Sequence, residues 1–154
     1  MMETDVRNGQ KMLEEHVAKT LLENNIEQRD TLNGMMKSSE GRCSFEDKTL
    51  TFDFPVQPWQ ANRVGNLHGG MICTAFDLTI AALARFYAGE NFAPTVSLDV
   101  KYIRPVKVGD TLTVTARATA TGEAYIKETG RLAATAASVY MNVDTVKERE
   151  QNKK

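Results

Sequence analysis

The sequence predicts an α+β domain in which an antiparallel sheet wraps around one long apolar helix. Three observations carry that prediction. Leu50, Phe52, Phe54 and Val56 alternate with Thr49, Thr51, Asp53 and Pro55, the period of two expected of a half-buried strand. The run from Gly70 to about Tyr87 has helical spacing and is apolar over so much of its surface that it needs cover on more than one side. After Pro94 the chain breaks into β-type segments separated by glycine-containing turns. One helix, two strands, a long helix and then three or four strands make an α+β order rather than an alternating one.

Taken in order, residues 10–29 place Leu13, Val17, Leu21 and Ile26 among glutamates and a lysine, the pattern of an amphipathic surface helix that should stop at Asn33-Gly34. Residues 35–45 read as a first strand with Gly41 as a bulge or bend, and Glu46-Asp47-Lys48 as the turn into the second. A loop over 57–67 contains Pro58, Trp59 and Gly65, and Gly89 and Pro94 close the long helix. The later strands are expected at Thr95–Arg104, Thr111–Ala120 and Leu132–Val143, with room for a short one at Ala124–Glu128. This divides the chain into an N-terminal helical extension (1–34), a main domain (35–143) and a charged tail (144–154) expected to fray.

At 154 residues the chain is long enough for one domain with a real core. Its 19 Lys+Arg against 20 Asp+Glu create no basic field for nucleic acid, and no basic amphipathic run suggests a membrane surface. "MMETDVRNGQ" lacks the charged-then-apolar order of a signal peptide. The most apolar stretch, Met71 to Ala84, reads as too short and, with Asp77 in it, too polar to span a bilayer. Cys43 and Cys73 make neither a disulfide framework nor a metal cluster, so a reduced, cytoplasmic protein without a metal is expected.

"NRVGNLHGGMICTAFD" (62–77) is where chemistry enters. Two glycines after His68 at a helix start leave backbone N–H groups unobstructed at the positive end of the helix dipole, a place to hold a carbonyl oxygen that gains charge. The same residues also suit a tight turn that needs glycine for its backbone angles. Asp77 is the second feature. A carboxylate in an apolar cleft is a candidate general base or nucleophile, because burying one without a partner costs several kcal/mol; the alternative is a place on an exposed stripe of the helix. Gly69 and Asp77 are separated by about 12 Å along a helix. Two copies lying antiparallel across a two-fold axis would bring the turn of one to the aspartate of the other, which predicts a homo-oligomer.

The spacing Asn62-x-x-Gly65-x-x-His68-Gly69-Gly70, then Asp77, then "VSLDVKYIRPVKVGD" (96–110), resembles the hotdog-fold acyl-CoA thioesterases of the hydroxybenzoyl-CoA thioesterase superfamily. The nearest branch is that of the phenylacetate-pathway thioesterases and the human thioesterase-superfamily proteins related to them. The resemblance spans about residues 35–143. It implies a curved antiparallel sheet around one central helix, dimers that commonly pair into tetramers, and an acyl-CoA substrate with coenzyme A entering only as part of that substrate. It also implies roles. Gly69 donates its N–H to the thioester carbonyl, Asp77 of the other protomer activates water or attacks directly, Asn62 helps hold the carbonyl or the water, His68 orients the loop, and Ser97 positions the water. Beside these stand plainer readings, in which Asn62 caps a turn and Ser97 is one polar position on a strand.

Lys101, Arg104 and Lys107 form either a solvated strand edge or, under the resemblance, a contact for the nucleotide phosphates of coenzyme A, with Arg104 foremost. Met71, Phe76, Phe86 and Trp59 are the candidate acyl-channel residues. The span 109–143 is shorter than usual for the family, which predicts either a stunted penultimate strand or a rearranged end of the sheet. No Gly-x-Ser-x-Gly elbow is present, and Cys73 has no histidine beside it in sequence. The competing function is a non-catalytic acyl-CoA-binding sensor or scaffold.

Overall fold

The computed structural model describes residues 3–141 and Val143; the expected charged tail, 144–154, lies outside the described residues. The first helix, α1 (Glu3–Leu22), starts a full two turns before the apolar periodicity suggested. Gly9 explains the difference. It would ordinarily weaken a helix, but here it is buried against the ring of Phe45, where any Cβ would overlap that ring. Leu13 and Val17 continue the buried stripe. The expected stop at Asn33-Gly34 is not one: α1 runs into a π-helical turn at Glu23–Glu27, and Asn33 and Gly34 sit inside a short helix, α2 (Leu32–Met35). Asn25 anchors this region by donating its side-chain amide to the Ser38 carbonyl at 2.7 Å.

Six strands follow: β1 (Ser39–Ser44), β2 (Thr49–Pro55), β3 (Thr95–Tyr102), β4 (Thr111–Arg117), β5 (Thr121–Ile126) and β6 (Arg131–Tyr140). They form one sheet in the order β1-β2-β4-β5-β6-β3, with every neighbouring pair antiparallel. The expected irregularity at Gly41 is a register shift between Ser39 and Arg42. The penultimate strand β5 is short but paired on both sides, so the end of the sheet is stunted rather than rearranged.

The long helix α3 (Gly69–Ala88) packs on the inner face of this sheet. At 20 residues it is longer than the apolar run suggested and reaches the length of a bilayer-spanning helix. Its Ile72, Ala75, Phe76, Thr79, Ile80, Ala82 and Leu83 are nonetheless buried within the protein. The strands opposite supply small residues, Ala116, Ala124 and Ala134, that let the helix come close. Gly122 adds a further close approach: a Cβ there would stand 3.0 Å from the Phe76 ring. Cover on a second side was expected, and α1 supplies part of it near the helix's C-terminal half. Cys73, Thr74, Asp77 and Leu78 stay only half-buried.

The two sheet edges differ. At β1, the Gln10 side chain of α1 donates to the Cys43 carbonyl at 3.1 Å and accepts the Phe45 N–H at 2.8 Å, so the helix takes up edge groups of the strand. At the other edge β3 carries exposed Val96 and Tyr102 beside exposed Val139 of β6. Among the described residues one charge is buried on the sheet: Asp53, 1% exposed, accepts from Arg42 at 2.9 Å, Lys127 at 2.6 Å and Thr113 at 2.8 Å. Burial pushes its carboxyl up, but the hydrogen bonds from Arg42, Lys127 and Thr113 outweigh that and hold it below the ordinary carboxylate value.

Candidate active site

His68 begins the site as the N-cap of α3. Its Nδ1 accepts the Gly70 N–H at 3.0 Å, its own N–H donates to the Gln60 carbonyl at 2.9 Å, and its carbonyl accepts from Met71 at 2.8 Å. A ring nitrogen that accepts carries no proton, so this bond leaves Nε2 as the nitrogen able to donate. Neither Gly69 nor Gly70 has a left-handed backbone, so the tight-turn explanation for the pair does not hold. Crowding by rings replaces it. A Cβ on Gly69 would stand 3.3 Å from the Tyr102 ring, and one on Gly70 would stand 3.3 Å from His68 Nδ1. Among the described residues no acceptor takes the Gly69 N–H.

Asn62 does cap a turn: its Oδ1 accepts from the N–H groups of Val64 at 3.0 Å and Asn66 at 3.1 Å. That leaves its amide NH2 as the group able to reach a ligand. Asn62, Gly69, Tyr102 and Arg104 then share a cavity of about 300 Å³, with Ile72 and Val106 among its apolar walls. Arg104 is half-buried, and its guanidinium donates to the Leu132 carbonyl at 2.7 Å.

The other candidates lie elsewhere. Asp77 sits two turns along α3, half-buried, with Oδ1 accepting from the Thr95 hydroxyl at 2.7 Å. It is not the fully buried carboxylate that the apolar run suggested: it lies among Cys73, Thr74 and Leu78 on a side of α3 that is only half-buried. Ser97 is exposed on β3, and its carbonyl accepts from Ser138 at 2.8 Å. Of the three basic residues only Arg104 lines the cavity. Lys101 pairs with Asp99 at 3.1 Å, and Lys107 is exposed in the turn after the strand.

The four candidate channel residues do not form one channel. Phe76 is core, Trp59 is exposed, and Phe86 packs with His16, Phe45 and Tyr87 in a separate aromatic cluster. Two residues at the site have no signal in the sequence. Thr95 is seen only through its bond to Asp77, and Tyr102 only through contacts of its hydroxyl with Cys73 Sγ at 3.0 Å and the Gly69 carbonyl at 3.3 Å. The Tyr102 hydroxyl is pushed up to about 12, first by the hydrogen bond with Cys73 and then by burial, so it keeps its proton throughout the neutral range.

A helix start with a free N–H, an amide and a guanidinium around one cavity, and a carboxylate two turns away, suits polarisation of a carbonyl. Residues 64–134 match the model of a family described as the thioesterase superfamily. Over that stretch the chain is similar to the thioesterase superfamily. Acyl-coenzyme A thioesterase 13 of Mus musculus is 35% identical over 69 residues, which is 44% of this chain and 48% of that protein. The matched region spans less than half the length of the curated relatives. Among solved structures, zebrafish thioesterase superfamily member 2 superposes with a TM-score of 0.70 at 19% identity, over 82% of this chain and 97% of that one. The Escherichia coli PaaI protein from the phenylacetic acid degradation operon gives 0.60 at 16% identity, over 82% and 96%. At such identities these two likenesses establish the fold, the hotdog fold. The stretch that matches this family model begins inside the loop that ends at His68 and closes at Ala134 of β6, so it holds Gly69, Asp77, Ser97 and Arg104 and leaves Asn62 just outside.

Proposed function

We propose that this protein hydrolyses acyl-CoA thioesters to a free carboxylic acid and coenzyme A, at a site completed by two copies of the chain. The observation that carries the reading is the split on α3: Gly69 opens into a cavity with Asn62 and Arg104, while Asp77 lies on the same rigid helix outside it. In this reading the thioester carbonyl enters the cavity and accepts the Gly69 N–H, helped by the Asn62 amide and the positive end of the helix dipole. Asp77 of the second copy takes a proton from water as the oxygen attacks, or attacks itself and is released by water afterwards. Collapse of the tetrahedral intermediate expels the thiolate of coenzyme A. Ser97 lies two residues from Thr95 on β3 and would steady the water beside that aspartate. Arg104, with Lys101 and Lys107 outside the cavity, would meet the phosphates of the nucleotide. Coenzyme A is then part of the substrate and no further cofactor is used. The free thiols Cys43 and Cys73 suit a reducing, cytoplasmic setting.

A panel of aliphatic and aryl acyl-CoAs, followed by thiol release, tests this. Turnover of at least one ester is expected. Tight binding of the esters without thiol release would instead support the sensor or scaffold.

Two further outcomes follow from the geometry. Dilution to a sedimentation-verified monomer should abolish hydrolysis, since one helix cannot present both groups to one carbonyl; a fully active monomer would overturn the composite site. Gly69→Val should lower turnover by at least about tenfold while the melting temperature falls by only a few degrees, as expected when a positioned donor is disturbed more than the fold. The Tyr102 ring that meets the new side chain is more than half exposed and has room to swing away. A variant that fails to fold would show the glycine to be structural.

A further inference from the structure

The geometry points to Tyr102 and Cys73 as positioning residues that hold the peptide between Gly69 and Gly70, and so aim the Gly69 N–H into the cavity. The catalytic meaning of that aim rests on the role proposed for Gly69; the clamp itself does not.

A carbonyl-binding amide works through direction, because a donor set off line loses most of its worth. The Gly69 N–H belongs to the peptide whose carbonyl, that of His68, is held by Met71 and Ile72 at 2.8 and 3.3 Å. The next peptide is gripped at both ends. Its N–H, on Gly70, donates to His68 Nδ1 at 3.0 Å, and its carbonyl, on Gly69, accepts from the Tyr102 hydroxyl at 3.3 Å. Two consecutive glycines have the most backbone freedom a helix start can have, so this is the place where a grip from outside the helix matters.

The direction of the bond to Gly69 follows from proton count: a carbonyl can only accept, so the Tyr102 hydroxyl is the donor. Its contact with Cys73 Sγ, 3.0 Å away and one turn further along the same helix, can run in either direction. Tyr102 is the last residue of β3, and this short chain of bonds therefore ties the end of the strand to the first turn of α3. Tyr102 is 56% exposed, so burial of its ring is a weak reason for its place. Its polar contacts, and the ring that stands over Gly69, are what the position supplies.

The test uses the intact protein, labelled with 15N, and reads solvent exchange of the Gly69 and Gly70 amides together with steady-state kinetics. Tyr102→Phe should speed Gly70 exchange by at least about threefold, the order expected from losing one net hydrogen bond, with melting little changed. Cys73→Ala should speed it less, and Cys73→Ser should restore the wild-type rate. In the active protein, Tyr102→Phe should lower kcat about tenfold with KM within about a factor of two. Unchanged Gly70 exchange in Tyr102→Phe would overturn the clamp, as would a raised KM with unchanged kcat, which would make Tyr102 a substrate wall instead. Should Tyr102→Phe fail to fold, the two Cys73 variants decide alone: equal exchange in alanine and serine overturns the inference. If no acyl-CoA is turned over by the wild type, the proposed function fails, while the exchange data still decide the clamp.

Discussion

Asp77→Asn should lower thioester hydrolysis by at least about 10²-fold with KM little changed, the effect typical of losing a general base or nucleophile. Asparagine nearly keeps the shape and can still accept from Thr95, so only the charge and basicity go. The structure also limits the effect on stability. Asp77 is half-buried and its one hydrogen bond to a described side chain is a neutral hydroxyl, so the melting temperature should move by no more than a change of about 1 kcal/mol would cause. Turnover and melting measured on one sample separate the possibilities. An early-melting but active variant would make Asp77 a structural anchor, and normal turnover on a stable protein would remove it from the chemistry.

Asp53→Asn should be the opposite kind of variant, with stability lost and chemistry spared. The carboxylate joins Arg42 of β1, Thr113 of β4 and Lys127 just after β5, so its removal loosens three parts of the sheet together. Both cations are about half exposed and regain water, which keeps the expected cost near 1–3 kcal/mol rather than the larger cost of stranding a fully buried charge. For a chain of this size that corresponds to a drop of roughly 3–10 °C in melting temperature.

The pH dependence has a definite sign. The folded-state carboxyl is held below its ordinary value, so its contribution is complete above the ordinary carboxylate range. That contribution is lost as pH falls through the range toward the depressed folded-state value. Wild type and Asp53→Asn should therefore differ most near neutrality and converge in acid. Parallel melting curves from neutral to acid pH would contradict the assignment.

The sequence made the sheet and the central helix legible because both write their burial locally. Leu50, Phe52 and Phe54 alternate along β2, and Ile72, Ala75, Phe76, Thr79, Ile80 and Leu83 repeat along α3. What it hid depends on partners far away in the chain. Gly9 looks like a helix breaker until Phe45 packs on it, and Gly69 and Gly70 look like turn residues until the rings of Tyr102 and His68 crowd them. Thr95 reaches Asp77 across 18 positions and Tyr102 reaches Gly69 across 33, distances over which no periodicity gives warning. The exposure of Asp77 was hidden for a related reason. An apolar helix announces that it will be covered, but not whether its own chain does the covering. The stretch from Asn62 to Asp77 pointed to Gly69 and Asp77 by its chemistry and spacing, while the roles of Asn62, His68 and Ser97 came from the resemblance.

The unequal edges of the sheet bear on how many copies can join. A sheet open on both sides can add strands without limit, and that is how edge-to-edge growth becomes a fibre. Here one side is stoppered: Gln10 of α1 already takes the Cys43 carbonyl and the Phe45 N–H that an incoming strand would need. A sheet with a single open end can meet one neighbour, end to end, and is then used up. Were two copies to pair through β3, the N-terminal helix would hold that pairing to two, because the β1 edge groups a third strand would need are already taken.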